Sequence, residues 1–551
     1  MAQIITTNSP DFKTSLCVPA LLILCGASFF YRLGYLPMLG PDEPRYCQVA
    51  VEMYESGDWI TPNLAGIHWF EKPALTYWLI AASYKIFGVS EFSSRLPIAL
   101  FSSLGVFVLF WFGRYFRSNR FGYLSAVCLV TSGIWIGFSR AATFDLSLSV
   151  ALEITLLAFF LWFQQSKDSF WYLCCFAIGL AMLAKGLVGI VLPGAIAGLF
   201  LLLTGNLGLL LKRPKLLLVG VIIFLATSAT WYAPMLARHG QEFVQEFFIQ
   251  HHLQRFLTNK YHHPQPFYFF TLVTILGCFP WSLYLLCQAV FALKKWRELI
   301  SNPEYHLTLF LWVWIIVIVG FFSLSTSKLT GYILPIFPAI ALLIGEKLAA
   351  WWVKPPRTLW RWFNLITALI FLVVGIFVST RAEKFHYAGD FRALALSAAL
   401  LVAAFITISA LLLRNERWAT ITIPFCFAGI LLAVTQTAMP SLAVTDSTAE
   451  LAVKAKAAAR ADERLIFFIN NDHSIDFYAP NLPLRDAHSE LITAMKPEEI
   501  AALIETQPTK SVLVLSPKQW LEGLEIMKTE KLASYHTWVL LRLTARNQPL
   551  Q

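Results

Sequence analysis

Residues 187–205 read LVGIVLPGAIAGLFLLLTG and contain no charged side chain. A helix needs about 20 consecutive apolar residues to cross the hydrocarbon core of a bilayer. This stretch therefore predicts a transmembrane helix, and twelve others of similar character make the chain a polytopic α-helical membrane protein with about thirteen transmembrane helices. The other predicted spans are 16–36, 94–114, 121–139, 144–164, 170–184, 215–235, 267–291, 305–324, 331–350, 361–379, 393–413 and 419–438.

The composition supports this fold class. Hydrophobic residues make up 57% of the 551 residues and charged residues only 14%, whereas soluble domains carry about 25% charged residues. A soluble enzyme, a disordered chain and a small disulfide scaffold are excluded. The nine cysteines are scattered without a CxxC spacing, so neither a disulfide framework nor a thiolate metal site is indicated.

The net charge of +10 comes from basic residues in short clusters between apolar blocks. This distribution sets membrane orientation and requires no nucleic-acid partner. The basic loops lie on one predicted side, the cytoplasmic one, so loops 37–93 and 236–266 and everything after about residue 440 lie outside the cytoplasm. Span 16–36 has no small-residue cleavage site and is predicted to be a retained helix. The basic clusters are Arg114/Arg117/Arg120, Lys212/Arg213/Lys215, Lys294/Lys295/Arg297, Lys354/Arg357/Arg361 and Arg414/Arg417.

The composition changes near residue 440. Polar, helix-prone stretches alternate there with short β-type runs at 464–470, 511–516 and 537–542, a pattern typical of a small α/β domain. We therefore predict two domains: 1–440, the membrane domain with both outer loops, and 441–551, an extracytoplasmic α/β domain.

Loop 37–93 predicts two amphipathic helices along the membrane surface. Pro41-Asp42-Glu43-Pro44-Arg45-Tyr46 opens the first, and Phe70-Glu71-Lys72-Pro73 is predicted to open the second. A helix start beside Lys72 suits a phosphate at the membrane surface, although Glu71 and Lys72 could also simply cap a surface helix. The same predicted face gathers further charged residues, namely Asp42, Glu43, Asp145, Lys185, Arg255 and Lys328.

Ionisable residues at membrane depth are costly and are usually kept for function. Asp145 lies at the outer end of the fourth span and is a functional candidate, whereas Glu153, deeper in that span, could pair with a neighbouring helix. Lys185 could instead extend to the interface as a structural residue. Tyr332 could be an interfacial aromatic or a phosphate donor.

Loop 236–266 contains the pairs His251-His252 and His262-His263 and also Arg255. Four histidines could bind zinc, but adjacent histidines do not easily point into one site and no HExxH spacing is present. Arg255 is the better candidate, because a guanidinium offers two parallel donors to a phosphate. No nucleotide-binding motif is present, so an outward-facing donor would arrive in the lipid.

Seven motifs together resemble the bacterial 4-amino-4-deoxy-L-arabinose (aminoarabinose) lipid A transferases. These enzymes belong to the protein O-mannosyltransferase-like GT-C class. The resemblance covers about residues 35–440 and implies a thirteen-helix GT-C membrane domain, two juxtamembrane helices in the first outer loop and a C-terminal periplasmic α/β domain. The motifs are PDEPRY at 41–46, ESGDWI at 55–60, FEKP at 70–73, the Asp145 turn, Ala184-Lys185-Gly186, HLQRF at 252–256 and KLTGYIL at 328–334.

The resemblance also implies roles for individual residues. Lys72, Arg255 and Tyr332 match positions that hold undecaprenyl phosphate, Asp42 and Asp145 match required acidic positions near the sugar, and Glu71 matches an acidic position near the phosphate. Trp69 departs from the family pattern, which often has Tyr at that place. Trp69 lacks the hydroxyl that would contact the phosphate, but its ring can still stack on a sugar or a lipid. Further candidates are Glu43, Arg45, Lys185 and Lys328, and a divalent ion, the only cofactor considered, would use Glu71, His251 and His252.

The predicted function is a multi-pass enzyme of the bacterial inner membrane, working as a monomer among membrane lipids at the periplasmic face. It would transfer aminoarabinose or a related sugar from undecaprenyl phosphate to a lipid A phosphate, with inversion. Two alternatives remain open. The acceptor could be a protein Ser/Thr hydroxyl or another envelope glycan, or the protein could be a polyprenyl-lipid transporter that breaks no bond; the crowding of charged candidates on one face favours the enzyme.

Overall fold

The computed structural model describes residues 11–209, 211–254, 265–380, 390–436, 447–486, 490–524 and 527–544. The chain forms two compact units. The first comprises Met1–Leu33, Phe70–Thr76 and Arg95–Thr437, and the second comprises Gly34–Trp69, Tyr77–Ser94 and Ala438–Gln551. Much of loop 37–93 thus groups with the C-terminal residues, and the proposed division of the chain at residue 440 stays a prediction.

Helices dominate the chain up to residue 436. Apolar side chains surround most of them, as expected for helices that contact lipid or each other on every side. They are α1 (Thr14–Cys25, continued as a π-helix over Gly26–Phe30), α2 (Asp42–Ser56), α3 (Leu75–Phe87), α4 (Glu91–Phe116), α5 (Asn119–Val130), α6 (Gly133–Ser139), α7 (Phe144–Gln165), α8 (Asp168–Lys185), α9 (Val188–Leu203), α10 (Pro214–Phe243), α11 (Phe269–Gly277), α12 (Ser282–Ser301), α13 (His306–Ser323), α14 (Phe337–Val353), α15 (Arg357–Thr380), α16 (Asp390–Leu412) and α17 (Glu416–Gln436).

All thirteen predicted spans coincide with helical segments, and the predicted fold class is confirmed. Among the described residues, eight helices are long and apolar enough to cross a membrane, and the bent pair α5 and α6 makes a ninth. Three shorter apolar helices are Thr14–Phe30, Val188–Leu203 and Leu396–Leu412. The chain is therefore a multi-pass membrane protein.

Three predicted spans are not single straight helices. Span 121–139 bends by 66° between α5 and α6. Span 267–291 divides into α11 and α12 around Pro280, which has no N–H group to continue a helix. Span 331–350 begins as a 3₁₀-helix over Thr330–Ile336 before α14. Uniform apolar composition does not reveal such breaks, because both halves remain equally hydrophobic.

Small residues allow close helix contacts within the first unit. A Cβ atom on Gly113 would lie 2.5 Å from the Cα of Gly122, and one on Gly345 would lie 2.1 Å from the Oγ of Ser125. Such close approach is the usual way in which membrane helices associate, because apolar side chains gain little by leaving lipid. These contacts fix α4, α5 and α14 against each other.

In the second unit, α2 begins where the sequence predicts it and ends at Gly57, whose φ of 73° suits glycine. A short antiparallel hairpin of β1 (Asn63–Leu64) and β2 (Ile67–His68) follows, which the sequence analysis does not predict. Glu52 holds this turn by accepting hydrogen bonds from the N–H groups of Ala65 at 2.7 Å and Gly66 at 3.1 Å.

The C-terminal residues form a five-stranded mixed sheet with apolar clusters on both faces. The strand order is β4-β3-β5-β7-β6; β3 pairs in parallel with β4 and β5, and β7 pairs antiparallel with β5 and β6. The three predicted β-type runs became β3, β5 and β7, which confirms the α/β interpretation. The elements are α18 (Ala449–Ala458), β3 (Leu465–Phe468), α19 (Ser474–Tyr478), β4 (Thr493–Ala494), α20 (Pro497–Thr506), β5 (Ser511–Pro517), β6 (Lys528–Tyr535) and β7 (Trp538–Thr544).

A buried ion pair joins the sheet to the segment that precedes β3. Glu463, 2% exposed, accepts hydrogen bonds from Arg542 Nε at 2.9 Å and from Ser511 Oγ at 2.8 Å. Burial opposes its ionisation, but these hydrogen bonds and the Arg542 charge outweigh burial and lower the pKa of Glu463.

The lowered pKa of Glu463 predicts acid sensitivity of this sheet. A carboxyl whose pKa is lower in the folded state stabilises that state above its ordinary pKa, and the contribution is lost as the pH falls. We expect hydrogen-exchange protection of β5 and β7 to decrease below about pH 4 in the full chain, and Glu463→Gln to be less protected near neutral pH with a flatter pH dependence. An identical pH dependence in the two proteins would contradict this.

Candidate functional site

A carboxylate and an ammonium group meet at one end of the hairpin formed by α7 and α8. Asp145 is in the first turn of α7, and Lys185 is the last residue of α8, which ends at Gly186 with a φ of 77°. Because the two helices are antiparallel neighbours, these residues reach the same end, and Lys185 Nζ donates to Asp145 Oδ1. Lys185 Nζ also lies 5.3 Å from the ring centroid of Tyr332.

The segment at 325–336 closes around this ion pair. Gly331 faces the carboxylate so closely that a Cβ there would lie 2.6 Å from Asp145 Cγ. Tyr332 packs on Phe322, with ring centroids 4.9 Å apart. Lys328 is 8% exposed and donates to the carbonyl of Ser325 at 2.8 Å, so it holds its own loop.

A second pair of opposite charges lies in the turn before α3. Lys72 Nζ donates to Glu71 Oε1 at 2.5 Å, and both side chains are 11% exposed. Phe70 anchors the turn by packing against His239 and Phe243, with ring centroids 5.0 and 5.7 Å away. The turn is thus fixed within the first unit by buried aromatic contacts.

The FEKP sequence at 70–73 predicts a helix start in this turn, but α3 begins at Leu75. Lys72 precedes Pro73, and a residue before proline is disfavoured in the α conformation. Lys72 therefore lies in a turn ahead of the helix and not in its first turn. Thr76 Oγ1 donates to Ser147 Oγ at 3.1 Å, which ties this segment to α7 two residues after Asp145.

Four other candidates belong to the second unit. Arg45 donates to Asp42 Oδ1 at 3.2 Å and to the carbonyl of Pro41 at 2.9 Å, and its guanidinium lies 5.8 Å from the ring centroid of Trp69. Glu43 is buried and accepts from the N–H of Leu39 at 3.0 Å. Glu43 therefore stabilises the start of α2, while Asp42, 46% exposed, remains accessible.

The remaining predicted residues lie outside the described part of the chain. Arg255 is not among the described residues, and the same is true of the side chains of His251 and His252. At Glu71 a divalent ion would meet the Lys72 ammonium on the same carboxylate. A metal fits poorly beside that ammonium.

Glu153 is fully buried in α7, and neither carboxyl oxygen has a hydrogen-bond partner among the described residues. A Cβ on Gly105 would lie 2.8 Å from Glu153 Oε2. No described neighbouring helix supplies the polar partner that the sequence analysis considers for Glu153.

Neither the role of Gly331 nor the contact between Thr76 and Ser147 is predicted from the sequence. Gly331 lies in the KLTGYIL motif between the candidates Lys328 and Tyr332, and this position is the sequence feature that could have indicated a role at the site. Nothing in the local sequence connects Thr76 with Ser147, because 71 residues separate them.

Comparison with known proteins gives similar sequences and a similar fold. The family described as "Dolichyl-phosphate-mannose-protein mannosyltransferase" matches residues 71–232. Undecaprenyl phosphate-alpha-4-amino-4-deoxy-L-arabinose arabinosyl transferase 1 of Pseudomonas fluorescens (strain Pf0-1) is 29% identical over 431 residues, which are 75% of this chain and 72% of the relative. The corresponding transferase of Pectobacterium carotovorum subsp. carotovorum (strain PC1) is 32% identical over 58% of this chain and 57% of the relative. The match thus spans between about half and three quarters of these relatives.

Solved structures resemble the whole chain. The crystal structure of ArnT from Cupriavidus metallidurans bound to undecaprenyl phosphate superimposes with a TM-score of 0.77 at 23% identity and covers 98% of this chain and 99% of that one. The Archaeoglobus fulgidus oligosaccharyltransferase superimposes with a TM-score of 0.51 at 14% identity, over 91% of this chain and 70% of that one. The helical arrangement is therefore shared with both structures.

Proposed function

We propose that this chain, which is similar in sequence to aminoarabinose transferases and shares the fold of ArnT, transfers 4-amino-4-deoxy-L-arabinose, or a related sugar, from undecaprenyl phosphate to a phosphate of lipid A. The reaction takes place at the periplasmic face of the bacterial inner membrane, and a monomer suffices. One observation carries the proposal: the turn with Lys72, the start of α7, the end of α8 and segment 325–336 place two pairs of opposite charge, with side chains between 11% and 19% exposed, in the same unit.

The donor phosphate is the leaving group. An oxygen of the lipid A phosphate forms a bond to C1 of the sugar while the bond from C1 to the undecaprenyl phosphate oxygen breaks, which inverts the anomeric carbon. Lys72 and Arg255 neutralise the charge that develops on the departing phosphate, and Tyr332 donates a hydrogen bond to it. The products are undecaprenyl phosphate and glycosylated lipid A.

The acidic residues position the substrates. A phosphate acceptor is already ionised near neutral pH and needs no strong base. Asp145, oriented by Lys185 and by the space left at Gly331, holds the amino sugar by charge. A role for Asp42 near the sugar stays a prediction. A resident divalent ion at Glu71, His251 and His252 stays a prediction that this reaction does not require.

The proposal is tested in cells that lack their own aminoarabinose transferase but make the donor. Mass spectrometry of their lipid A, with and without this chain, is expected to reveal a new aminopentose on a lipid A phosphate. Unchanged lipid A, with folded protein in the membrane, would contradict the donor and acceptor assigned here. A sugar on envelope protein instead would favour the Ser/Thr alternative.

Gly331→Ala tests the position of the Asp145 carboxylate. The new methyl group would displace the carboxylate from Lys185, because it would lie 2.6 to 2.9 Å from three carboxyl atoms. We expect turnover to fall about 10- to 100-fold, measured as aminopentose transfer by purified protein. Gly320→Ala in α13, where a Cβ meets no heavy atom within 4 Å, is the matched control. Equal turnover in both variants would show that the close fit is unimportant.

A further inference from the structure

A cavity of about 440 Å³ lies within the second unit, and its described lining includes none of the residues assigned to sugar transfer. It opens between segment 35–37, the start of α4, α18, α19 and β6. Its volume is in the range of small-ligand sites and is large enough for a sugar ring with its substituents. The residues that line the cavity include Tyr35, Glu91, Glu450, Val453, Tyr478 and Tyr535.

One wall of this cavity is fixed by hydrogen bonds between distant parts of the chain. The hydroxyl of Tyr478 donates to Glu91 Oε1 at 2.7 Å and accepts from the N–H of Met38 at 3.1 Å. Gly34 lies so close to α4 that a Cβ there would be 2.7 Å from the Cβ of Phe92. The wall is therefore preorganised, and a ligand would not have to order it.

The lining chemistry suits a sugar and not a phosphate. Three phenol rings offer faces for the C–H groups of a sugar, and the carboxylates of Glu91 and Glu450, with two oxygens each, accept from sugar hydroxyls. The described lining contains no Lys or Arg, so its two carboxylates would repel a phosphate. Lys454 pairs with Glu450 at 2.6 Å and reduces the negative charge, which favours a neutral ring over a strong cation.

Exposed apolar side chains in the segment that leads to Glu91, which lines the cavity, indicate that the sugar is carried by a lipid. Ile86, Phe87 and Val89 at the end of α3, and Phe92 and Tyr35 beside the cavity, are between 40% and 73% exposed. Exposed apolar and aromatic side chains next to a surface helix are typical of contact with the interfacial region of a bilayer. A ligand in this cavity would thus be a headgroup of a membrane lipid.

We infer that this cavity binds a neutral sugar ring in the headgroup of a membrane glycolipid, and that this glycolipid is the acceptor. The inference rests on the proposed function for the identity of the acceptor. The cavity binds and positions the sugar portion and leaves the phosphate outside, so its residues take no part in bond making or breaking.

The test uses the purified full chain in nanodiscs, without donor. Val453 is 53% exposed, so Val453→Trp fills the cavity without entering the core, and Ala457→Trp places the same side chain at an exposed position of α18 that does not line the cavity. Lipid A in vesicles is the lipid probe, and the neutral disaccharide of N-acetylglucosamine is the soluble probe. We expect Val453→Trp to weaken lipid A binding at least about tenfold and Ala457→Trp to leave it unchanged. Weak binding of the soluble disaccharide is also expected.

Equal binding of lipid A by the two tryptophan variants, at the same melting temperature, would overturn the inference. Tight binding of the soluble disaccharide would overturn the inference that the sugar must be carried by a lipid. In turnover, Val453→Trp is expected to raise the acceptor KM while kcat and the donor KM stay constant. If the wild-type protein binds lipid A but transfers no sugar, and Val453→Trp loses this binding, the proposed function fails and the cavity assignment holds. If the wild-type protein transfers sugar and Val453→Trp binds lipid A as well as the wild type does, the cavity assignment fails and the proposed function holds.

Discussion

Lys72→Ala is expected to reduce sugar transfer by at least about 100-fold, the usual loss when one donor to a developing negative charge is removed. Lys72 is fixed in a turn by the packing of Phe70, and its side chain is only 11% exposed. Its ammonium group is therefore preorganised and poorly screened by water, the condition in which a charge stabilises a transition state most.

The variant set separates charge from folding. Lys72→Ala leaves the Glu71 carboxylate without this partner, which could destabilise the turn, so Lys72→Gln is measured beside it, because Gln can still donate to Glu71. Lys85→Ala is the matched control, since Lys85 is an exposed lysine on α3. Both changes at Lys72 should reduce transfer by at least about 100-fold, and the melting temperature of Lys72→Gln should stay near that of the wild type. Retained transfer in both Lys72 variants would remove Lys72 from the mechanism. Arg255→Ala is expected to reduce transfer as Lys72→Ala does.

Asp145→Asn is expected to lower kcat by about 100-fold while donor binding is kept, since an interaction made mainly with the reacting sugar affects turnover more than affinity. The substitution keeps the shape of the side chain beside Gly331 but removes the charge that pairs with Lys185. Kinetics of the purified protein, combined with equilibrium binding of undecaprenyl phosphate, would measure both quantities.

Asp168→Asn is the matched control for Asp145→Asn. Asp168 begins the same helix that Lys185 ends, its side chain is 54% exposed, and it pairs with Arg213. We expect this surface change to leave turnover unaffected. If Asp145→Asn also turns over normally, Asp145 only holds Lys185 in place.

The sequence predicts the helices well because apolar length is a local property. Each predicted span contains helix, and the division at Lys185-Gly186 is found where the sequence places it. The break inside 121–139 is not predicted, since helix continuity there depends on the surrounding packing. The break inside 267–291 lies at Pro280, a local signal that apolar length alone does not take into account. In the C-terminal domain the same reasoning finds β3, β5 and β7 but misses β6, whose alternating exposure carries few strongly apolar residues.

The site is less predictable from sequence because its contacts are long-range. The charges at Asp145, Lys185 and Lys72 are visible as unusual residues near apolar spans, but which cation pairs with which carboxylate depends on the antiparallel packing of α7 and α8 and on the turn before α3. Gly331 acts only through the carboxylate that it faces, 186 residues earlier in the chain. Such pairings require the folded structure.

The central claim is that this chain breaks the sugar–phosphate bond of a lipid-linked donor. The most direct measurement incubates the purified full chain in nanodiscs with synthetic undecaprenyl phosphate-linked 4-amino-4-deoxy-L-arabinose and lipid A, and quantifies both products by mass spectrometry. We predict equal amounts of free undecaprenyl phosphate and aminopentose-modified lipid A, with neither product formed by Lys72→Ala. Donor that stays intact in the presence of folded protein and acceptor would contradict the account, and donor that crosses a bilayer unchanged would establish a transporter instead.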